Sequence, residues 1–134
     1  MIRGGLVYLG SEAAARGPGA AGASALDPAA ASMELFQAGL LVHDDIMDRD
    51  ETRRGGPSIH ALYAREASER GSADAAHVGE ALGICAGDLC YFEAYAELSR
   101  AVAGHPLAAA VLELCSGVLS EVATAQMADV RWGS

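Results

Sequence analysis

Apolar residues recur at helical spacing along most of the chain, and four interruptions divide the pattern into five predicted helices. The first covers 2–16 and stops at Gly17-Pro18, where both residues oppose continuation. A loop of small residues leads to Asp27-Pro28, which predicts a helix start with the aspartate as N-cap and the proline at the first helical position. Met33, Phe36, Leu40, Leu41 and Ile46 then carry that helix to about Asp48. The charged segment 49–56 runs into Gly-Gly-Pro and predicts a loop. Further helices are expected over 58–70, 73–103 and 107–130, separated by Gly71-Ser72 and Gly104-His105-Pro106. The last two contain the apolar sets Val78, Leu82, Cys85, Leu89, Phe92, Leu98 and Leu112, Cys115, Leu119, Val122.

Composition supports helices over strands. The 134 residues include 29 alanines, few aromatics and few β-branched side chains. An all-α fold is expected, and 51% hydrophobic residues suffice for a core of one domain. Net charge is −9, which opposes non-specific nucleic-acid binding. All nine basic residues are arginines; the chain has no lysine. Cys85, Cys90 and Cys115 are odd in number and fall in apolar helical stretches, so reduced, buried thiols in the cytoplasm are expected. No uncharged apolar run reaches about 18 residues, so no membrane span is expected.

The chemistry concentrates where the second helix ends, at Asp44, Asp45 and Asp48, with Arg53 and Arg54 shortly after. On a helix Asp44 and Asp48 lie one turn apart, with Asp45 beside them, so the three carboxylates are expected to share one face. Carboxylates at a helix C-terminus oppose the macrodipole, by about 0.3–1 kcal/mol each when exposed, so their crowding calls for a counter-ion. Hard oxygen donors suit Mg²⁺, which takes one or two carboxylates and commonly completes its shell from a substrate phosphate. Guanidinium forks match phosphate oxygens. Acid for metal beside base for phosphate points to a Mg²⁺-diphosphate site; a solvated acidic helix end, with the arginines ion-paired to Asp48, Asp50 or Glu51, is the plainer alternative. An EF-hand is excluded because Arg53 stands where its sixth position needs glycine. A His43-Asp44 metal pair of the phosphohydrolase kind lacks an upstream histidine, and no zinc-ligand spacing occurs.

The stretch L-L-V-H-D-D-I-M-D-R-D-E-T-R-R-G-G-P-S-I-H at 40–60 closely resembles the first aspartate-rich motif of trans-isoprenyl diphosphate synthases, the polyprenyl synthetase family. A-L-G-I-C-A-G-D-L-C-Y-F-E-A-Y at 81–95 and A-Q-M-A-D-V at 125–130 are similar to two further segments of that family. The resemblance implies an antiparallel helical bundle around a deep cavity, usually a homodimer. It also implies head-to-tail condensation of an allylic diphosphate with isopentenyl diphosphate. On that basis Asp44, Asp45 and Asp48 hold Mg²⁺ on the allylic diphosphate, Arg53 contacts the same group, and Arg54, Arg3 and Gln37 serve isopentenyl diphosphate. Gln126 and Asp129 line the cavity near its hydrocarbon end or a second metal. A class I terpene cyclase shares the acidic helix but does not predict R-R-G-G-P directly after it.

Product length in such enzymes depends on residues about one turn before the first aspartate, here Gly39 and Leu40 with Phe36 a turn earlier. Neither 39 nor 40 is aromatic, so a geranylgeranyl-type product of about twenty carbons or longer is expected. The family's second aspartate-rich motif and its phosphate-binding lysines do not occur in these 134 residues. A single partial domain is therefore expected over 1–134, inactive alone and associating through apolar faces, or else acting as a non-catalytic subunit of a complete synthase.

Overall fold

A computed structural model of the chain describes residues 2–14 and 23–133. Within them lie five helices: α1 (Ile2–Ala14), α2 (Ala23–Met47), α3 (Ile59–Glu69), α4 (Ala75–Val102) and α5 (Ala108–Trp132). An antiparallel hairpin of β1 (Thr52–Arg53) and β2 (Gly56–Pro57) joins α2 to α3. The all-α expectation holds, with the hairpin as an addition. The stop expected at Gly17-Pro18 lies outside the described residues.

Neighbouring helices run antiparallel. Gly4 packs on Ala30 and Glu34 while Tyr8 donates its hydroxyl to Asp27, so α1 descends along α2. Phe36 meets Tyr95, Gly39 meets Tyr91, and Ile46 meets Gly83, which sets α4 against α2 in the opposite sense. The core cluster is Phe36, Ala94 and Leu98, with Val111, Leu112, Cys115 and Leu119 of α5 closing over it. Phe36 and Tyr95 meet edge to face at 4.9 Å, a favoured aromatic geometry.

Helix α2 begins at Ala23, four residues before the predicted cap. Asp27 is occupied by the Tyr8 hydroxyl and caps nothing, and Pro28 lies inside the helix. The ends of α3 and α4 agree with the sequence: Gly71 (φ 80°) and Gly104 (φ 74°) take the left-handed conformation that stops a helix.

The inner face of α4 is built mostly from small residues and not from its large apolar ones, Leu98 apart. Buried there are Gly79, Gly83, Gly87, Ala94 and Leu98, whereas Leu82, Leu89 and Phe92 are exposed. The cause is backbone proximity. A methyl group at Gly79 would lie 2.5 Å from the His60 carbonyl oxygen, one at Gly83 would lie 2.8 Å from the Ile46 Cδ1, and one at Gly87 would overlap the His43 ring. Glycines four residues apart thus let α2 and α3 settle onto one stripe of α4. Cys85 is on the far side and exposed, against expectation; Cys90 and Cys115 are half-buried.

Helix α5 has no fully buried residue, and Leu114, Val118, Met127 and Trp132 are exposed along it. By length and composition it could cross a membrane, a possibility the count of uncharged residues had missed. Glu113, Glu121 and Asp129 interrupt it, and each would be costly in hydrocarbon, so a bundle helix is the better physical reading.

Candidate functional site

The site starts where α2 ends. Arg49 adopts a left-handed conformation (φ 59°), its N–H donates to the Ile46 carbonyl (3.2 Å), and the Asp50 N–H donates to the Asp45 carbonyl (2.8 Å). This pair of bonds is the Schellman closure, usually built on glycine; an arginine there costs about 1–2 kcal/mol. Five residues later Arg54 (φ 53°) and Gly55 (φ 82°) form the two-residue turn of the hairpin, both with the positive φ that a type I′ turn needs. Arg53 pairs with Gly56, and the Ser58 N–H donates to the Glu51 carbonyl at 2.9 Å. The chain therefore reverses twice and brings Arg53 back beside the helix it left.

The three aspartates do not converge. Asp45 is only 3% exposed and accepts both Nε and an Nη of Arg53 on one oxygen. Asp44 turns outward, 3.4 Å from the same guanidinium, and Asp48 is exposed. Among the described residues no three His, Cys, Asp or Glu side chains gather closely enough to hold a metal. Arg53 so takes the ion-pair role, although its partners are Asp44 and Asp45. Burial, and next the Asp48 charge, push the Asp44 carboxyl above the usual aspartate range; the nearby guanidinium opposes this. A further cation nearby would favour the charged form of Asp44.

Two hollows meet at Asp44. One, about 440 Å³, is an apolar groove between α2, α4 and α5, walled by Leu40, Leu41, Met47, Tyr91, Val122 and Met127. The other, about 560 Å³, is polar and holds Asp44, Asp48, Gln126 and Asp129. They share Asp44, Met47 and Gln126, and the Gln126 amide donates to the Asp44 carboxylate at 3.3 Å. An acidic head thus opens into an oily trough. Magnesium needs only one or two carboxylates plus water and phosphate oxygens, so Asp44 and Asp48, with Asp129 opposite, fit its donor preference.

The other residues singled out in the sequence divide. Gln37 and Leu40 line the groove. Phe36 is in the core, 5% exposed, and Gly39 is buried under Tyr91, so neither forms the groove wall that a product-length role assigned to them. Arg54 is exposed at the hairpin tip. Arg3 adjoins Gly4, which packs at Ala30 and Glu34, roughly 15 Å along the α2 axis from Asp44 at 1.5 Å per residue. It does not join the aspartates. His43 points at α4, bonded to the Ile84 carbonyl (3.1 Å) and 3.5 Å from Asp88, which removes it from any pair with Asp44. Tyr91, Met47 and Met127 were missed in the sequence; their signal was only that each lies on a helix turn facing a predicted site residue.

Five helices with a carboxylate hollow feeding an apolar groove are consistent with part of an all-α isoprenoid synthase. The polyprenyl synthetase family model matches residues 1–134, and the chain belongs to that family. It is 37% identical over 105 residues to a short chain isoprenyl diphosphate synthase of Methanocaldococcus jannaschii, covering 78% of this chain and 27% of the relative. It is 38% identical to a geranylgeranyl diphosphate synthase of Methanosarcina mazei over 78% of this chain and 26% of that protein. A (2E,6E)-farnesyl diphosphate synthase of Mycobacterium bovis is 34% identical over 99% of this chain and 31% of its own length. The chain thus spans about a quarter to a third of these relatives. No solved structure matches.

Proposed function

We propose that this chain supplies the diphosphate-binding part of a prenyltransferase that condenses an allylic diphosphate with isopentenyl diphosphate. The reading rests on one observation: Asp44 and Asp48, one turn apart, face a polar hollow that opens directly into an apolar groove. Such a shape suits an amphiphile with an anionic head and a hydrocarbon tail. Asp44 and Asp48 would hold Mg²⁺, which when bound stabilises the charge developing on a departing diphosphate. Arg53 lies beside them to meet phosphate oxygens, and Arg54, on a rigid turn, reaches solvent where a second diphosphate would approach. Leu40, Leu41, Val122 and Met127 offer the tail an apolar wall that keeps water from the reacting carbon.

The relatives' printed products differ, being named for farnesyl, geranylgeranyl and geranylfarnesyl diphosphate. A product of about twenty carbons or longer is proposed from Leu40, the one candidate length position on the groove, because it is not aromatic. The 134 residues alone are proposed to bind Mg²⁺ and diphosphate without turnover, since no lysine and no second acidic motif is present in them. The exposed apolar residues of α5 favour association, as a homodimer or as a non-catalytic subunit seated on a complete synthase.

Calorimetry with inorganic pyrophosphate tests the central reading. Binding should require Mg²⁺ and disappear in Asp44→Ala/Asp48→Ala; equal binding with a chelator present, or by that variant, overturns it. A radiolabelled condensation assay on the homogeneous chain should show no product, and clear turnover would refute the inactivity.

A further inference from the structure

Asp45 stands in the middle of the acidic motif yet is buried and turned away from the hollow. Two bonds leave it in two directions. Its backbone carbonyl accepts the Asp50 N–H at 2.8 Å, closing the left-handed turn at Arg49. Its carboxylate accepts Arg53 through two guanidinium nitrogens, closing the hairpin onto α2. The segment between holds two non-glycine residues of positive φ, Arg49 and Arg54, a conformation that needs outside support. One residue clamps both ends of that segment. A carboxylate so enclosed, with one oxygen already shared by two donors, is poorly placed to reach a cation in the hollow that Asp44 and Asp48 line.

We infer that Asp45 is a positioning residue, which holds the Arg53-Arg54 hairpin over the hollow through its paired contacts while Asp44 and Asp48 bind the metal. This deepens the function proposed above and rests on it. The consequence is a division of labour inside one motif. Removing Asp44 weakens metal binding; removing Asp45 loosens the hairpin and so weakens the hold on phosphate.

Mn²⁺ binding followed by electron paramagnetic resonance, pyrophosphate binding with Mg²⁺ present, and amide exchange at Ser58 separate the two roles. Asp45→Asn should leave Mn²⁺ affinity within about threefold, weaken pyrophosphate about tenfold, and speed Ser58 exchange about tenfold in metal-free protein. Asp44→Asn should do the reverse, losing Mn²⁺ at least about tenfold with Ser58 exchange unchanged. Should Asp45→Asn not fold, Arg53→Gln, at a half-exposed position, releases the same clamp. It should speed Ser58 exchange and not lower Mn²⁺ affinity; unchanged exchange overturns the inference. Loss of Mn²⁺ in Asp45→Asn equal to that in Asp44→Asn also overturns it. If the unaltered chain binds no Mn²⁺, the proposed function fails, while the exchange comparison still decides whether Asp45 is the clamp.

Discussion

Tyr91 lies across Gly39 so closely that a methyl group on Gly39 would come within 2.8 Å of its ring and 2.9 Å of the Gly87 carbonyl oxygen. The contact sets a sign. Helix propensity alone makes Gly→Ala stabilising by up to about 1 kcal/mol, whereas overpacking a tight contact costs about 1–3 kcal/mol. Gly39→Ala should therefore lower stability in urea denaturation by up to about 2 kcal/mol, the overpacking cost less the propensity gain. A gain would show that α2 and α4 are not in backbone contact here.

Arg49 gives the opposite result. Its φ of 59° is unfavourable for any residue with a Cβ, and its side chain is exposed. Arg49→Gly removes the clash at some expense in unfolded-chain entropy, so a net gain of about 0.5–1 kcal/mol is expected. Thermal unfolding with and without the substitution checks it.

Asp44 couples stability to pH. Its carboxyl is held above the ordinary value of 3.8, first by burial and then by Asp48, so the folded chain binds this proton more tightly than the unfolded chain. Stability from this group is greatest below the ordinary value and declines as pH rises through the raised one. Asp44→Asn should accordingly raise the melting temperature of metal-free protein at pH 7, with the gain shrinking toward pH 3.5. Millimolar Mg²⁺ should stabilise the unaltered chain and not the variant. A gain independent of pH would place its origin elsewhere.

Gln126 is the polar tie between α5 and the acidic end of α2. Gln126→Leu keeps the volume and removes the bond, which is about 1 kcal/mol for an ordinary hydrogen bond. Amide exchange in the last three turns of α5 should accelerate roughly fivefold, the factor that energy corresponds to, while α4 stays protected. Equal acceleration in both helices would mean that α5 does not open on its own.

Much of the frame was legible in the sequence because helix breaks are local chemistry: Gly71 and Gly104 announce themselves. What failed did so where partners distant in sequence decide. Asp27 reads as a cap until Tyr8 takes its carboxylate. The hairpin was hidden because Asn-Gly or Asp-Gly usually marks a type I′ turn, and here Arg54-Gly55 makes it. Helical spacing set all three carboxylates on one face, but spacing cannot tell which of them faces inward, and Asp45 does. On α4 the large apolar residues Leu82, Leu89 and Phe92 lie off the inner face, although Leu98 is on it. The period-four glycines at 79, 83 and 87 carried the better signal, one that hydrophobic patterning ignores.

That glycine stripe has a further effect on the groove. Packed closely through their glycines, α2 and α4 act like the fixed jaw of a caliper, with little room between them for a larger side chain. Adjustment of the gap falls to the opposite jaw, where Val122 and Met127 of the lightly seated α5 can change size at little expense to the rest of the molecule. Under the function proposed above, variation in tail length should accordingly be written on α5 and at Leu40, and seldom along the seam of α4.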